Sequence, residues 1–285
     1  MDKRLEPLTP LIKEWINQTT GWFTYKDLDK DLDIESSEGK TLRRVVLKSL
    51  CDAGIVIRAP KQNGVFRLVQ EEAPLIPWQT ADATKIVALK FPFGLEEWAS
   101  IYPKNIIVLA GSFNAGKTAF CLDFIRLNQH RVELADLLPI EYFSSEMGAE
   151  EMKLRLSKFS DSDWAFNARE RSTNFADVVK PDKINIIDYL EVTTDFYLVA
   201  EEISAIFNKL HKGIALITVQ KKRGAELGRG AEFSAEKPRL YLSIDSGLLT
   251  IVKAKNWARE GENPNGKKFS FSLLSGCKFT NIQEV

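Results

Sequence analysis

The residues whose types and spacing speak most directly of chemistry are Gly111-Ser112-Phe113-Asn114-Ala115-Gly116-Lys117-Thr118. Glycines at the first and sixth positions let the backbone curl until its N–H groups, from Ser112 through Asn114, Ala115 and Gly116, converge with a helix N-terminus on the phosphates of a nucleotide. Lys117 then reaches the β- and γ-phosphates and the Thr118 hydroxyl ligates Mg²⁺. The spacing therefore predicts a phosphate-binding loop for a nucleoside triphosphate. Such a loop needs an acidic partner on a neighbouring strand. Lys183-Ile184-Asn185-Ile186-Ile187-Asp188 offers one, an apolar run closing on Asp188 at a strand's carboxyl end, where ligands of open α/β sheets bind. Asp188 could instead cap a following helix that begins near Thr194.

The elements that must position these groups are readable around them. Asn105-Ile106-Ile107-Val108-Leu109-Ala110 is a β-rich run ending on Gly111, and Thr118 to Ile125 continues with the apolar spacing of a helix. Strands alternating with helices predict an α/β domain with a mainly parallel sheet.

A chain of 285 residues, 44% hydrophobic, has material for such a core and a smaller domain besides. Residues 8 to 68 carry the second pattern. Apolar residues at helical spacing occur around Leu11, Ile12, Trp15 and Ile16, around Leu28 and Leu32, and around Leu42, Val45, Val46 and Leu50, stopping at Gly54. Two short β runs follow, 55–58 and 65–68, separated by a segment containing Asn63-Gly64. Three helices and a hairpin are the order of a winged-helix domain. Arg43, Arg44 and Lys48 on the third helix and Lys61 on the wing would meet DNA phosphates, although winged helices also dock proteins and basic helix faces are often just solvated. The expected division is a winged helix at 1–70, a proline-marked linker at 71–90 and the larger domain at 91–285.

Thirty-nine basic residues balance thirty-nine acidic ones, so any attraction to nucleic acid must come from local patches. Cys51, Cys121 and Cys277 lack metal or disulfide spacing and read as small buried hydrophobes in a reducing compartment. The first residues carry no apolar run of signal or membrane-spanning length, and the expectation is a soluble, cytoplasmic protein without a membrane partner.

One segment narrows the class. Ile140-Glu141-Tyr142-Phe143-Ser144-Ser145-Glu146-Met147, followed by a helix with Met152, Leu154, Arg155 and Leu156, closely resembles the motif after the second core strand of DnaB-like replicative helicases, within the wider RecA-like ATPases. The resemblance covers about 91 to 285 and implies a RecA-like fold, ATP with Mg²⁺, and assembly into a hexamer or filament. It assigns Glu146 as the base that orients the attacking water, Asp188 as the carboxylate holding Mg²⁺ through water, and Gln220 as the sensor of the γ-phosphate. After Gln220 the family carries a loop that touches single-stranded DNA. Here that stretch, 221–238, contains Lys221, Lys222, Arg223 and Arg229 and reads as a mobile basic loop. Leu248 to Asn256 resembles the strand that sends a lysine and an arginine into a neighbouring subunit's ATP. Lys253 matches the lysine, but Lys255 stands in place of the arginine, leaving the trans role to Lys255, to Arg259 or to a different assembly. The N-terminal domain of bacterial DnaB proteins is replaced by the winged-helix pattern. The expected function is a DNA-dependent ATPase that translocates on or remodels DNA, with a nucleotide-switched regulator as the alternative.

Overall fold

The computed structural model describes residues 8–285 except 71, 72, 74, 160–162, 191–196 and the side chain of Tyr197. The chain divides into two compact units, Met1–Ala81 and Asp82–Val285.

In the smaller unit the order is α1 (Leu8–Gln18), β1 (Trp22–Thr24), α2 (Tyr25–Asp31), α3 (Ser37–Asp52), β2 (Val56–Arg58) and β3 (Val65–Leu68). The three strands form an antiparallel sheet in the order β1-β3-β2. Local chemistry sets the helix starts. The Thr24 side chain accepts from the N–H groups of Lys26 and Asp27 while Asp27 accepts from the Thr24 N–H, a capping box, and Ser36 caps α3 by accepting from the Gly39 N–H at 3.0 Å. Ile12, Ile16, Phe23, Leu28, Val46, Leu47 and Phe66 pack into one core. Val45, expected on the apolar face of α3, is 59% exposed, because the buried stripe runs instead through Gly39, Arg43, Val46, Leu47 and Leu50.

The larger unit is built on a nine-stranded sheet with the order β12-β11-β10-β9-β4-β8-β7-β5-β6. Its strands are β4 (Ile106–Gly111), β5 (Ile140–Ser144), β6 (Phe166–Glu170), β7 (Ile184–Asp188), β8 (Ile214–Gln220), β9 (Leu240–Asp245), β10 (Leu248–Ala254), β11 (Lys268–Leu274) and β12 (Lys278–Glu284). The run from β9 through β6 is parallel, and β10, β11 and β12 extend it by antiparallel pairing. The helices are α4 (Lys117–Asn128), α5 (Ala149–Leu156), α6 (Tyr197–Lys209) and the short α7 (Ala231–Ser234). Alternate residues of the central strands point to opposite faces. Ile107 and Leu109 of β4 join Phe120, Phe124 and Ile125 of α4, whereas Ile106 and Val108 join Val199, Ile203 and Ile206 of α6. Burial on both faces explains why β4, β7 and β8 read as continuous apolar runs.

This unit starts earlier than Phe91, the boundary expected from sequence. Val87 and Leu89 are buried in its core, so 82–90 belongs to the domain and is not linker. The helix expected near Thr194 falls outside the described residues, and α6 is described from Tyr197. Cys121 and Cys277 are buried and Cys51 is half-buried, all as free thiols.

Candidate functional site

Four strand ends build the site. Gly111 closes β4 and pairs in register with Gln220, which closes β8; Ser144 closes β5 and pairs with Asp188, which closes β7. Parallel pairing sends all four carboxyl ends to one edge of the sheet, which brings residues far apart in sequence around one cleft of about 420 Å³. Asn114, Ala115, Gly116, Lys117, Thr118, Glu146, Asp188 and Gln220 all line it. Gly111 and Ser112 form the buried stem of the loop below it.

The loop conformation demands its glycines. Gly116 has φ +103°, a left-handed backbone that other residues resist, and a Cβ there would come within 3.2 Å of Leu273 and 3.4 Å of Phe279. A Cβ on Gly111 would collide with the Lys117 side chain that folds back across it. That lysine donates to Gln220 Oε1 at 3.0 Å and to the carbonyls of Ser112 and Gly111 at 3.3 and 3.4 Å. Burial pushes the Lys117 ammonium below its ordinary value, with the charges of Asp188 and Glu146 pulling it back up.

Asp188 is 5% exposed and held from both sides. Tyr142 Oη donates to its Oδ2 at 2.7 Å and Thr218 Oγ1 to its Oδ1 at 3.1 Å. Burial, followed by the Asp188 charge, drives the Tyr142 phenol well above its ordinary value, so it remains a donor. Tyr142 and Thr218 were given no role by the sequence; their sign was that each sits two residues before a strand's polar end, on the same face. Glu146 is exposed at the cleft, in a turn shaped by Ser144 Oγ accepting from the N–H groups of Met147 at 2.9 Å and Glu146 at 3.3 Å. Leu273 and Gly276, from the β11–β12 hairpin, and Arg155 and Lys158, from α5 and the residues after it, complete the walls.

Among the described residues no group of three or more His, Cys, Asp or Glu side chains could enclose a metal. A magnesium ion shared among phosphates, one hydroxyl and a carboxylate needs no such group, and Thr118 and Asp188 face the same cleft, so the donor set fits that ion.

Other expected residues lie elsewhere. Lys253 and Lys255 do not line the cleft: Lys255 is exposed, and Lys253 donates to the carbonyls of Ala235 and Glu236. Burial, then the positive charges of Lys255 and Arg239, lower the Lys253 ammonium below its usual value. Arg259 pairs with Glu97 at 2.6 Å and stacks 4.0 Å over Trp98. Arg44, Lys48 and Lys61 are exposed on the smaller unit, as are Lys222, Arg223 and Arg229 on the larger.

Two expected DNA contacts need correction. Arg43 lies on the buried stripe of α3, its side chain 4% exposed, paired with Asp29 and stacked 4.3 Å over Tyr25. Lys221 is equally withdrawn, its ammonium 2.6 Å from Asp245. Neither offers its charge to solvent. The 221–238 stretch, expected as a mobile loop, is held at several points, among them the Gly228 N–H donating to Tyr241 Oη at 2.9 Å and the Arg229 N–H to the Gln220 carbonyl at 2.8 Å.

No protein-family model matches the chain, and no curated protein matches it. Among solved structures it is similar to a KaiC-like protein from the hyperthermophilic archaeon Pyrococcus horikoshii, with 15% identity, 70% of this chain and 99% of that one covered, and a TM-score of 0.52. The larger unit has a RecA-like P-loop fold. A structure of the RadB recombinase is also similar, at 13% identity over 65% of this chain and 92% of that one, with a TM-score of 0.43. No helix among the described residues is long and apolar enough to cross a membrane.

Proposed function

We propose that this chain is a Mg²⁺-dependent ATPase of the DnaB-like class, stimulated by DNA and active as an oligomer. The observation that carries the reading is the convergence of Lys117, Glu146, Asp188 and Gln220 on one cleft over a glycine-shaped loop. Backbone N–H groups of 113, 114 and 116, in the part of the loop that lines the cleft, and the α4 N-terminus take the phosphates. Lys117, now satisfied by Gln220 and two carbonyls, turns those donors to the β- and γ-phosphates. Magnesium, when bound with the nucleotide, neutralises developing phosphate charge, and Thr118 and Asp188 are the residues that would hold it. Glu146 is exposed where its carboxylate can take a proton from an attacking water.

Position supports the assembly reading. Lys253 and Lys255 stand outside their own cleft, as residues serving a neighbour's nucleotide would. Lys222, Arg223 and Arg229, exposed just beyond Gln220, suit a single-stranded backbone. The small unit reads as a winged helix with Arg44, Lys48 and Lys61 available to duplex phosphates.

Phosphate release decides the central point. Lys117→Ala is expected to lower turnover by at least about 100-fold. Glu146→Gln should bind ATP but lose about 100-fold or more in turnover. Wild-type rates in either variant would remove that residue from the mechanism. A second reading, a nucleotide-switched adaptor, is favoured by the apolar residues exposed on the small unit, Val45 at 59% and Ile55 at 45%. Strand displacement on a forked DNA supports the first reading; ATP-dependent duplex or protein binding without unwinding supports the second.

A further inference from the structure

Withdrawing a lysine ammonium from water is costly unless it is fully satisfied. The Lys221 side chain is 0% exposed, with Nζ 2.6 Å from Asp245 Oδ2 and 2.8 Å from the Ala225 carbonyl. Such a pair could be inert structure anywhere else in the fold. Here it adjoins Gln220, whose side chain accepts from Lys117.

Three segments meet at this pair. The Lys221 N–H donates to the Gly111 carbonyl at 3.0 Å, at the stem of the phosphate loop. Asp245 ends β9, whose Ile244 carbonyl accepts from the Ser112 N–H at 3.2 Å. The Gly224 N–H reaches the same Asp245 oxygen at 3.3 Å, and the Arg229 N–H returns to the Gln220 carbonyl. The basic segment 222–229 is thus closed at both ends on Gln220 and clasped in the middle to β9. Burial raises the Asp245 carboxyl, but Lys221, Ser112 and Gly224 outweigh it and hold the group below its ordinary range, so Asp245 stays ionised at neutral pH.

We propose that Lys221 and Asp245 are positioning residues that join occupancy of the phosphate loop and placement of the 222–229 segment into one equilibrium. The inference rests on the reading of the cleft as a triphosphate site. A γ-phosphate there competes for the Lys117 ammonium and releases Gln220. A slack segment would absorb the resulting shift at its root. A clasped one moves as a body, which gives the two states distinct surfaces.

Limited trypsin digestion of the full chain reports this directly, because Lys222, Arg223 and Arg229 are cleavage points within the segment. With Mg²⁺ and saturating AMP-PNP, its occupancy verified by displacement of a fluorescent ATP analogue, cleavage of wild type within 222–229 should slow by about five-fold or more. The Lys221→Met/Asp245→Asn double variant removes both charges and leaves neither stranded. Its segment should be cut quickly with and without AMP-PNP. Asp245→Glu, which keeps the charge, should restore the nucleotide-dependent difference, a rescue that mere packing does not predict. A double variant retaining the wild-type difference overturns the proposal, as does an Asp245→Glu protein that folds but lacks it. If wild type does not bind AMP-PNP, the triphosphate reading fails; equal nucleotide-free cleavage of wild type and double variant would then overturn the clasp as well.

Discussion

Two basic runs, Arg43-Arg44 on α3 and Lys221-Lys222 after β8, turn their first cation inward onto an aspartate and leave the second in solvent. The inward members nevertheless differ in kind. Arg43 braces α3 against α2 through Asp29 and lies over Tyr25, within a core that carries none of the cleft residues. Lys221 adjoins a residue whose side chain touches the phosphate-loop lysine. Burial of a charge is therefore a poor marker of function by itself; what the neighbouring atoms do decides its meaning.

Breaking the first pair should give the larger loss of stability. Arg43→Ala leaves Asp29 uncompensated and should cost the small unit about 3–5 kcal/mol, read by chemical denaturation, with nucleotide affinity of the cleft unchanged. A parallel loss of nucleotide binding would erase the distinction between the pairs. Removing both partners together, Arg43→Met with Asp29→Asn, should recover most of that stability, to within about 2 kcal/mol of wild type. A double variant as unstable as the single one would mean that Arg43 acts by packing and not by charge.

The outward members are expected to act on ligands. Replacing Lys222, Arg223 and Arg229 by alanine should weaken single-stranded DNA binding and reduce the slope of log affinity against log salt by roughly 0.7 for each lost phosphate contact. An unchanged slope would remove the segment from the DNA path. The smallest stability change belongs to Arg44→Ala and Lys48→Ala, within about 0.5 kcal/mol of wild type by the same denaturation, since both are exposed. A larger cost would show that the outward face of α3 is itself braced.

The phosphate loop was legible because its glycines, lysine and threonine are demanded by local backbone geometry at fixed spacing. Asp188 was legible because buried parallel strands read as apolar runs that stop at a polar residue, whereas Gln220 was reached through the resemblance to DnaB-like helicases. The inward turn of Arg43 was written in the sequence but obscured by its charge: 39, 43, 46, 47 and 50 form one helical stripe, and Arg43 sits on it while Val45 does not. Lys221 left no such trace, since its partner Asp245 is set by a parallel sheet order that no local pattern encodes. β1, with three residues, is too short for a period, and the inclusion of Val87 and Leu89 in the larger core depends on contacts made far along the chain.

The hairpin of β11 and β12 has a consequence for how the molecule is made. Leu273 and Phe279 lie against Gly116, so the wall of the cleft is supplied by residues translated long after the loop it encloses. At ribosomal rates the two are separated by on the order of ten seconds. Through that interval the nascent phosphate loop has neither its roof nor the aromatic packing of Phe93 with Phe271 and Phe279. Completion of the cleft is thus tied to synthesis of that hairpin: a chain stalled before β11 carries every residue of the Gly111–Thr118 motif and still lacks this wall.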